Sequence, residues 1–191
     1  MRLNFVPPAK LTAEQKPLYD DMREGIVANF KGFVAMADDG TLVGPWNPWL
    51  RFPQFGGPIW NLVKALSMSP KLPRPVREIA ILVTGARFHS AYEIYAHVLV
   101  AELRGLHDNK ISTIVSGQRP GDLTRQEAIA YDLAAALVSG GVLPELAWEQ
   151  GVVEFGLDGM AEFINLVGLY CMVSVTLNAF DVPVPDHGEA K

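Results

Sequence analysis

Three titratable side chains recur every fourth residue near the middle of the chain. They are His89, Glu93 and His97, in the stretch EIAILVTGARFHSAYEIYAH that spans residues 78–97. On a continuous helix, a spacing of four residues advances about 40° past a full turn, so the three side chains would share one stripe. Two imidazoles and a carboxylate on one face suit general acid–base chemistry, or a metal ion with an open coordination position.

Two helices are predicted to position these residues. The apolar sequence that follows Pro75 predicts a buried helix that ends near His89. Ser90 followed by Glu93 is a capping-box pattern, which favours a second helix that starts at Ser90 and runs to Leu103. If that second helix begins at Ser90, His89 lies at the junction and the stripe is reduced to Glu93 and His97.

The rest of the chain also predicts helices. Thr124 followed by Glu127 indicates a capping box, and no alternating strand pattern of useful length competes with the helical periodicity. Residues 37–58 contain many Gly, Pro and Trp residues and are predicted to be irregular. We expect one all-α domain over residues 1–191, with further helices over 12–30, 58–68, 109–116, 124–139, 144–153 and 157–179, and a Pro-containing tail over 181–191.

Composition limits the classes of function. The chain has 191 residues, of which 49% are hydrophobic and 19% charged, and its formal net charge is −5. This composition suits a globular protein with apolar surface left for subunit contacts, and it contains no basic stripe of the kind that binds nucleic acid. Cys171 is the only cysteine, which excludes an intrachain disulfide, a cysteine-based zinc site and a CxxC pair.

The segment 163–180 carries no charge and is long enough to raise the question of a membrane span. Polar residues within it, such as Asn165, Ser174 and Asn178, favour a helix buried in the core or between subunits. The N-terminal sequence MRLNFVPPAKL lacks the apolar segment of a signal peptide. We therefore expect a cytoplasmic protein that has a small-molecule substrate and no membrane or nucleic-acid partner.

One block of sequence is characteristic of a known family. REIAILVTGARFHSAYEIYAHVLVAELRG, residues 77–105, resembles the core of the carboxymuconolactone decarboxylase family, whose relatives include the alkyl hydroperoxidase D proteins. The resemblance extends to GPWNPWLRFP, which begins at Gly44, and to LVGLYCMVSVTLNAFDVPVP near the C-terminus, so it covers about residues 44–184. It implies a compact multi-helix fold of the alkyl hydroperoxidase D type and a homo-oligomer, either a trimer or a hexamer.

The redox branch of that family carries a glutamate, a CxxC pair and a histidine at fixed offsets. Glu78 and His97 stand at the outer two positions, but Ser90 and Glu93 stand where the cysteines would be. A dithiol mechanism needs one thiolate to attack and a second thiol to resolve the product, so we expect no dithiol peroxidase activity. The decarboxylase branch also lacks the cysteine pair and uses no metal or organic cofactor.

The resemblance thus implies a cofactor-independent lyase that acts on a small unsaturated or cyclic carboxylic acid. His97 is the expected general acid or base, Glu93 its partner and Glu78 an assisting group. Arg51 lies between apolar residues and would suit the substrate carboxylate. Each of these residues also has a simpler role open to it, such as a surface ion pair or the stabilisation of a helix terminus.

Four further residues are candidates for substrate binding. Ser90, Tyr92 and His89 could donate hydrogen bonds to the substrate, and Trp60 could form a wall of the pocket. The alternative for Ser90 is helix capping, and for the aromatic residues it is packing in the core.

Three other functions remain open at this point. The same proton-transfer groups could serve an isomerase or a hydratase. His89, Glu93 and His97 could bind a metal, and the fold could also act as a non-catalytic small-molecule binder. The sequence does not identify the substrate.

Overall fold

The computed structural model describes residues 1–68 and 71–185, and within these ranges the chain is helical. A short 3-10 helix, Pro8–Lys10, comes first, and an isolated bridge between Met36 and Leu42 is the one β pairing found there. The prediction of an all-α fold is confirmed. The α-helices are α1 (Lys16–Asn29), α2 (Trp46–Arg51), α3 (Pro53–Met68), α4 (Arg74–Phe88), α5 (Ala91–Leu103), α6 (Asp108–Val115), α7 (Arg125–Ser139) and α8 (Glu145–Phe180).

Helix α4 is the centre of the fold. It packs against α5, α6, α7 and α8, and every residue from Glu78 to Ala86 is buried. A helix that is apolar on all sides is stable only when other elements surround it, which accounts for this central position. The one carboxylate in that buried stretch, on Glu78, therefore has to find its partners inside the protein.

The prediction that residues 37–58 are irregular is wrong for the second half of that range, because α2 and the start of α3 lie there. Proline is compatible with the first turn of a helix, where the backbone N–H has no intrahelical acceptor. Pro45 is the N-cap of α2, and Pro53 is the first residue of α3. Pro48 is the third residue of α2, still within its first turn, and Pro58 lies in the interior of α3. The prolines therefore mark helix starts rather than a loop.

Other boundaries agree more closely with the sequence. The capping box at Thr124 is confirmed, since its side chain accepts from the Glu127 N–H while the Glu127 carboxylate accepts from the Thr124 N–H. The first helix begins one turn later than predicted, at Lys16. The two predicted C-terminal helices are both present. They meet at a kink at Gly156, whose angles of φ 69° and ψ 173° are non-helical, and together they are labelled α8 here. The predicted tail lies partly outside the described residues.

Helix α8 is the one helix of the described residues with the length and composition of a membrane span. It packs against α3, α4, α5 and α7, and its inner face, which includes Phe163, Leu166 and Val173, is buried. One face of α8 therefore belongs to the core. Leu157, Ile164 and Val175 on the same helix are exposed.

An aromatic cluster fixes the N-terminal part of the chain to the helices. Phe30 packs edge-on against Trp46 with ring centroids 5.3 Å apart, and it also contacts Trp60 at 6.1 Å. Trp46 lies next to Phe33 and Trp49. Aromatic contacts at these separations contribute beyond the burial of their area. The cluster therefore holds the residues that follow α1 against α2 and α3.

The crossing of α2 and α3 depends on the absence of a side chain at Gly56. A Cβ atom at this position would stand 2.1 Å from the carbonyl oxygen of Trp49, whereas at the adjacent Gly57 it would meet nothing within 4 Å. We predict that Gly56→Ala lowers the free energy of unfolding by roughly 1–3 kcal/mol, because the helix backbones must move apart.

Gly57→Ala is the matched control. It should change the free energy of unfolding much less, by at most roughly 0.5–1 kcal/mol, because the gain in helix propensity is opposed by Pro58, which follows directly and disfavours a helical residue with a Cβ before it. Chemical denaturation of the two variants measures both values. Equal effects of the two substitutions would contradict this account of the helix crossing.

Candidate active site

The junction between α4 and α5 settles the geometry of the predicted stripe. Helix α4 ends at Phe88, and His89 has a left-handed backbone, with φ 49° and ψ 41°. Ser90 is extended, and α5 begins at Ala91. The prediction of a helix junction at His89 is confirmed, and the alternative of a continuous helix from His89 to His97 is wrong.

The predicted capping box at Ser90 is absent. Ser90 is the N-cap of α5, but its side chain makes no capping hydrogen bond. The Glu93 carboxylate is directed towards His97 instead, with 3.2 Å between Glu93 Oε1 and His97 Nε2. The pattern therefore located the helix start correctly while the two side chains have other neighbours.

Glu78 and His97 form a buried pair. His97 Nδ1 lies 2.8 Å from Glu78 Oε2, within a hydrogen bond in which the carboxylate accepts. The other oxygen of Glu78 accepts from the guanidinium of Arg104, the residue that follows α5. The side chain of Glu78 is 0% exposed and that of Arg104 is 33% exposed. Because only two residues connect α4 to α5, a residue near the start of α4 meets the C-terminal half of α5.

His97 is therefore held from both sides. Its two ring nitrogens face two carboxylates, on Glu78 and Glu93, and its ring packs edge-on against Tyr170 of α8 at 5.0 Å. Burial raises the pKa of Tyr170 well above its ordinary value, and the carboxylates of Glu93 and Glu78 add to this. The phenol thus keeps its proton at neutral pH and is available as a hydrogen-bond donor.

The two neighbours on α5 have perturbed pKa values. Burial raises the pKa of Glu93 to about 7, with His97 opposing the shift and Glu78 adding to it. Burial lowers the pKa of His97, but the carboxylates of Glu78 and Glu93 outweigh it, and the result is a raised pKa. A carboxyl group with a pKa of about 7 can exchange a proton with a neighbouring imidazole at little cost once the two align. This pair is therefore suited to proton transfer.

A cavity of about 450 Å³ lies beside the buried pair, between α1, α3, α4, α5 and α8. Its volume is in the range of small-molecule sites. The polar or charged side chains that line it are Asn29, Lys31, Ser67, Arg74, Arg77, Glu78, His97, Arg104 and Tyr170, and the apolar ones are Phe30, Phe33, Val63, Leu66, Ile81, Val100, Leu103, Leu166 and Leu169.

Positive charge dominates the cavity. Arg104 is paired with Glu78, and Arg77 is paired with Glu162. Within residues 1–68 and 71–185, neither Arg74 nor Lys31 has a carboxylate partner. A cavity lined equally by polar and apolar side chains, with such a surplus of cations, is complementary to an organic anion.

Several candidates from the sequence lie away from this cavity. Arg51 donates from Nε to the carbonyl oxygen of Asn4, at 3.1 Å. Trp60 belongs to the aromatic cluster and is 1% exposed. Tyr92 donates its hydroxyl hydrogen to the carbonyl oxygen of Val34, at 2.6 Å. These three side chains are not among the residues that line the cavity.

The remaining candidates also lie outside the lining of the 450 Å³ cavity. His89 lines a second cavity of about 260 Å³ between α4, α6 and α7, on another side of α4. Ser90 and Glu93 are buried and line neither cavity. In the described ranges, no group of three His, Cys, Asp or Glu side chains is placed to hold a metal ion. The metal hypothesis needed His89 beside Glu93 and His97, and the junction directs His89 elsewhere.

Sequence reasoning did not identify Arg104, Arg74 or Tyr170. Arg104 is seven residues after His97, or two helical turns, so the helical spacing was visible in the sequence. Tyr170 is the one tyrosine in the uncharged segment 163–180, and the hydroxyl of a buried tyrosine usually has a hydrogen-bond partner. Arg74 gave no comparable signal.

Comparison with solved structures shows which fold this is. A structure described as the alkylhydroperoxidase AhpD core, an uncharacterized peroxidase-related protein from Ralstonia eutropha JMP134, is similar with a TM-score of 0.73 at 13% identity, over 97% of this chain and 92% of that one. The debrominase Bmp8 gives a TM-score of 0.71 at 14% identity, over 92% and 90%, both as the apo protein and as a variant in complex with 2,3,4-tribromopyrrole. The chain therefore has the AhpD-like fold.

Sequence comparison adds nothing further. No protein-family model matches the chain, and no curated protein matches it either. At 13–14% identity, the structural neighbours show the fold alone. The function has to be argued from the residues of this chain.

The raised pKa of Glu93 predicts how stability changes with pH. Between its ordinary value of 4.5 and about 7, the folded state keeps this proton while the unfolded state releases it, so the free energy of unfolding falls as the pH rises. We predict a fall of roughly 2–3 kcal/mol between pH 5 and pH 8 from this group. The raised pKa of His97 acts in the same direction.

Glu93→Gln should reduce the fall, because an amide does not titrate. Chemical denaturation at several pH values between 5 and 8 measures it, and Glu102→Gln, which changes an exposed carboxylate on the same helix, is the control. If the parent protein and both variants lose stability equally, the assignment of the titration to Glu93 is wrong.

Proposed function

We propose that this protein is a lyase of the carboxymuconolactone decarboxylase type, which removes CO₂ from a small unsaturated or cyclic carboxylic acid without a cofactor. The observation that carries the proposal is the Glu78–His97 pair at the wall of a cavity whose cations Arg74 and Lys31 have no carboxylate partner among the described residues. This arrangement supplies both requirements of such a reaction, an anchor for an anion and a source of a proton.

The cavity supports binding of an anion with an apolar body. Arg74 and Lys31 supply the positive charge for a carboxylate, and Phe30, Phe33 and Leu103 supply apolar contact for its carbon frame. In this proposal the carboxylate anchor is Arg74 rather than Arg51, because the guanidinium of Arg51 is directed to the Asn4 carbonyl.

The reaction breaks the bond between the carboxylate carbon and its neighbour. CO₂ leaves, and the electron pair moves through the conjugated system onto the carbonyl oxygen of the substrate, which becomes enolate-like. Tyr170 and Arg104 are hydrogen-bond donors on the cavity wall that would stabilise this oxygen. The carbon then takes a proton from the Glu78–His97 pair. Glu93, whose Oε1 lies 3.2 Å from His97 Nε2, returns a proton to the imidazole once the two groups align, as catalytic hydrogen bonds do when a substrate binds.

This proposal does not include dithiol peroxidase chemistry. The chain has a single cysteine, Cys171, on α8, and Ser90 and Glu93 stand at the positions of the pair that this chemistry requires. Neither a hydroxyl nor a carboxylate forms a disulfide.

An isomerase is the second candidate, and the pKa of Glu93 favours it. A carboxyl group with a pKa of about 7 can both take a proton from His97 and return one to it at neutral pH, so the imidazole at the cavity wall could remove a proton from one carbon and deliver it to another. Mass analysis of the product separates the two reactions, because decarboxylation lowers the mass of the substrate and isomerisation does not.

We also propose that the protein is cytoplasmic and forms a homo-oligomer, a trimer or a hexamer. The support for assembly is the apolar surface of α8, where Leu157, Ile164 and Val175 are exposed. No charged side chain interrupts this helix between residues 163 and 180.

His97→Ala tests the assigned proton transfer. It should lower turnover at least tenfold and leave the helical circular-dichroism spectrum unchanged, because proton transfer by a positioned group contributes about 10²–10⁴-fold. The control is His89→Ala, which removes a histidine outside the cavity. Full turnover in His97→Ala would refute the assignment.

Arg74→Gln tests the proposed carboxylate anchor. Screening the protein by thermal shift against unsaturated acids and lactone acids identifies a ligand, which should bind the parent protein better than its methyl ester does. We expect Arg74→Gln to weaken binding of that acid at least tenfold, because a charge-assisted hydrogen bond contributes about 1.5–3 kcal/mol.

Arg51→Gln is the matched control and should bind the acid as the parent does. If Arg51→Gln lost binding of the acid while Arg74→Gln kept it, the carboxylate anchor would be Arg51 and not Arg74.

A further inference from the structure

Three buried oxygen atoms near the start of α5 lack a hydrogen-bond partner in the described part of the chain. They are Ser90 Oγ, Glu93 Oε1 and Ser174 Oγ. Ser90 and Ser174 are 0% exposed, and Glu93 is 3% exposed. The contact of Glu93 Oε1 with His97 is close but lacks hydrogen-bond alignment. Buried polar groups in folded proteins are almost always paired with protein atoms or with ordered water.

Two contacts of α8 bring Ser174 to the same region as the other two residues. One turn before it, the Tyr170 ring packs edge-on against His97 at 5.0 Å. One turn after it, Asn178 Nδ2 donates to the carbonyl oxygen of Phe88 at 2.7 Å. Residues four apart share a helix face, so Ser174 faces the stretch between Phe88 and His97. Ser90 and Glu93 belong to that stretch.

The start of α5 offers hydrogen-bond donors to the same space. The first N–H groups of a helix have no acceptor within it, and Ser90, as the N-cap, leaves them without a side-chain acceptor. Donors and acceptors that face one region match a water molecule, which has two donors and two acceptors.

We propose that Ser90, Glu93 and Ser174 hold a buried water molecule at the N-terminus of α5, outside the lining of the 450 Å³ cavity. The water donates to the carboxylate of Glu93 and exchanges hydrogen bonds with the two hydroxyls. Its presence depends on these contacts alone. Its use as the proton-exchange partner of Glu93 rests on the proposed function, since it would connect Glu93 to a group other than His97.

Ser174→Ala tests the water directly. If the hydroxyl is bonded to water, its removal leaves that water short of a partner and lowers the midpoint of thermal unfolding by about 2–4 °C relative to a control. The control is Ser112→Ala, an exposed serine inside α6, which corrects for the preference of helices for alanine. A midpoint for Ser174→Ala at or above that of the control overturns the proposal, because the removal of an unsatisfied hydroxyl is stabilising.

A double variant tests whether the site is shared. Ser90→Ala and Ser174→Ala together should lower the midpoint by less than the sum of the two single effects, because one water serves both hydroxyls. Strictly additive losses would indicate separate sites and overturn the shared one.

A high-resolution crystal structure gives a readout independent of catalysis. Density for a water within hydrogen-bond distance of Ser174 Oγ and Glu93, lost in Ser174→Ala, supports the proposal, and unoccupied space in the parent protein overturns it. Turnover has no part in these measurements. A failure of the proposed lyase function, seen as full turnover in His97→Ala, is therefore distinguishable from a failure of the water site.

Discussion

The structure depends on how a single carboxylate is held inside the central helix. Glu78 lies in a stretch of α4 that is otherwise apolar and fully covered, and a charge in such a position is strongly destabilising unless it is paired. Its two oxygens are divided between His97 and Arg104, both supplied by the segment that folds back after the α4–α5 junction. The sharp turn at His89 and Ser90 is therefore tied to the position of this charge: a longer connection or a continuous helix would leave Glu78 without partners.

The sequence was sufficient where local chemistry decides the structure. Helix periodicity and the apolar residues of α4 gave the fold class, and the pattern at Ser90 gave the start of α5. The sequence was insufficient where one local pattern is compatible with two different structures. Prolines in the segment before α3 were compatible with a loop or with helix starts, and the packing of Trp46 and Trp49 in the core decided the outcome.

The sequence predicted the central residues of the site but not the residues that surround them. Glu78, Glu93 and His97 are close in sequence, and they meet because one short hairpin of helices brings them together. Arg74 and Tyr170 enter from the start of α4 and from α8, so their positions depend on packing between distant segments. Arg51 had a suitable local environment in the sequence, and its actual contact, the Asn4 carbonyl, is 47 residues away. No local pattern encodes such a contact.

The imidazole of His97 is held in one orientation by its neighbours. Both nitrogens face carboxylates and one edge abuts the Tyr170 ring, so any rotation about its side-chain bonds breaks several contacts at once. A mobile catalytic group loses conformational entropy when the substrate binds and orders it. Here the imidazole is already ordered when the protein folds, so this loss does not oppose binding or catalysis. A fixed imidazole also cannot adapt to ligands of different shape. Selectivity in this cavity would then come from which molecules can bring a reactive carbon to a stationary proton, rather than from adjustment of the protein around them.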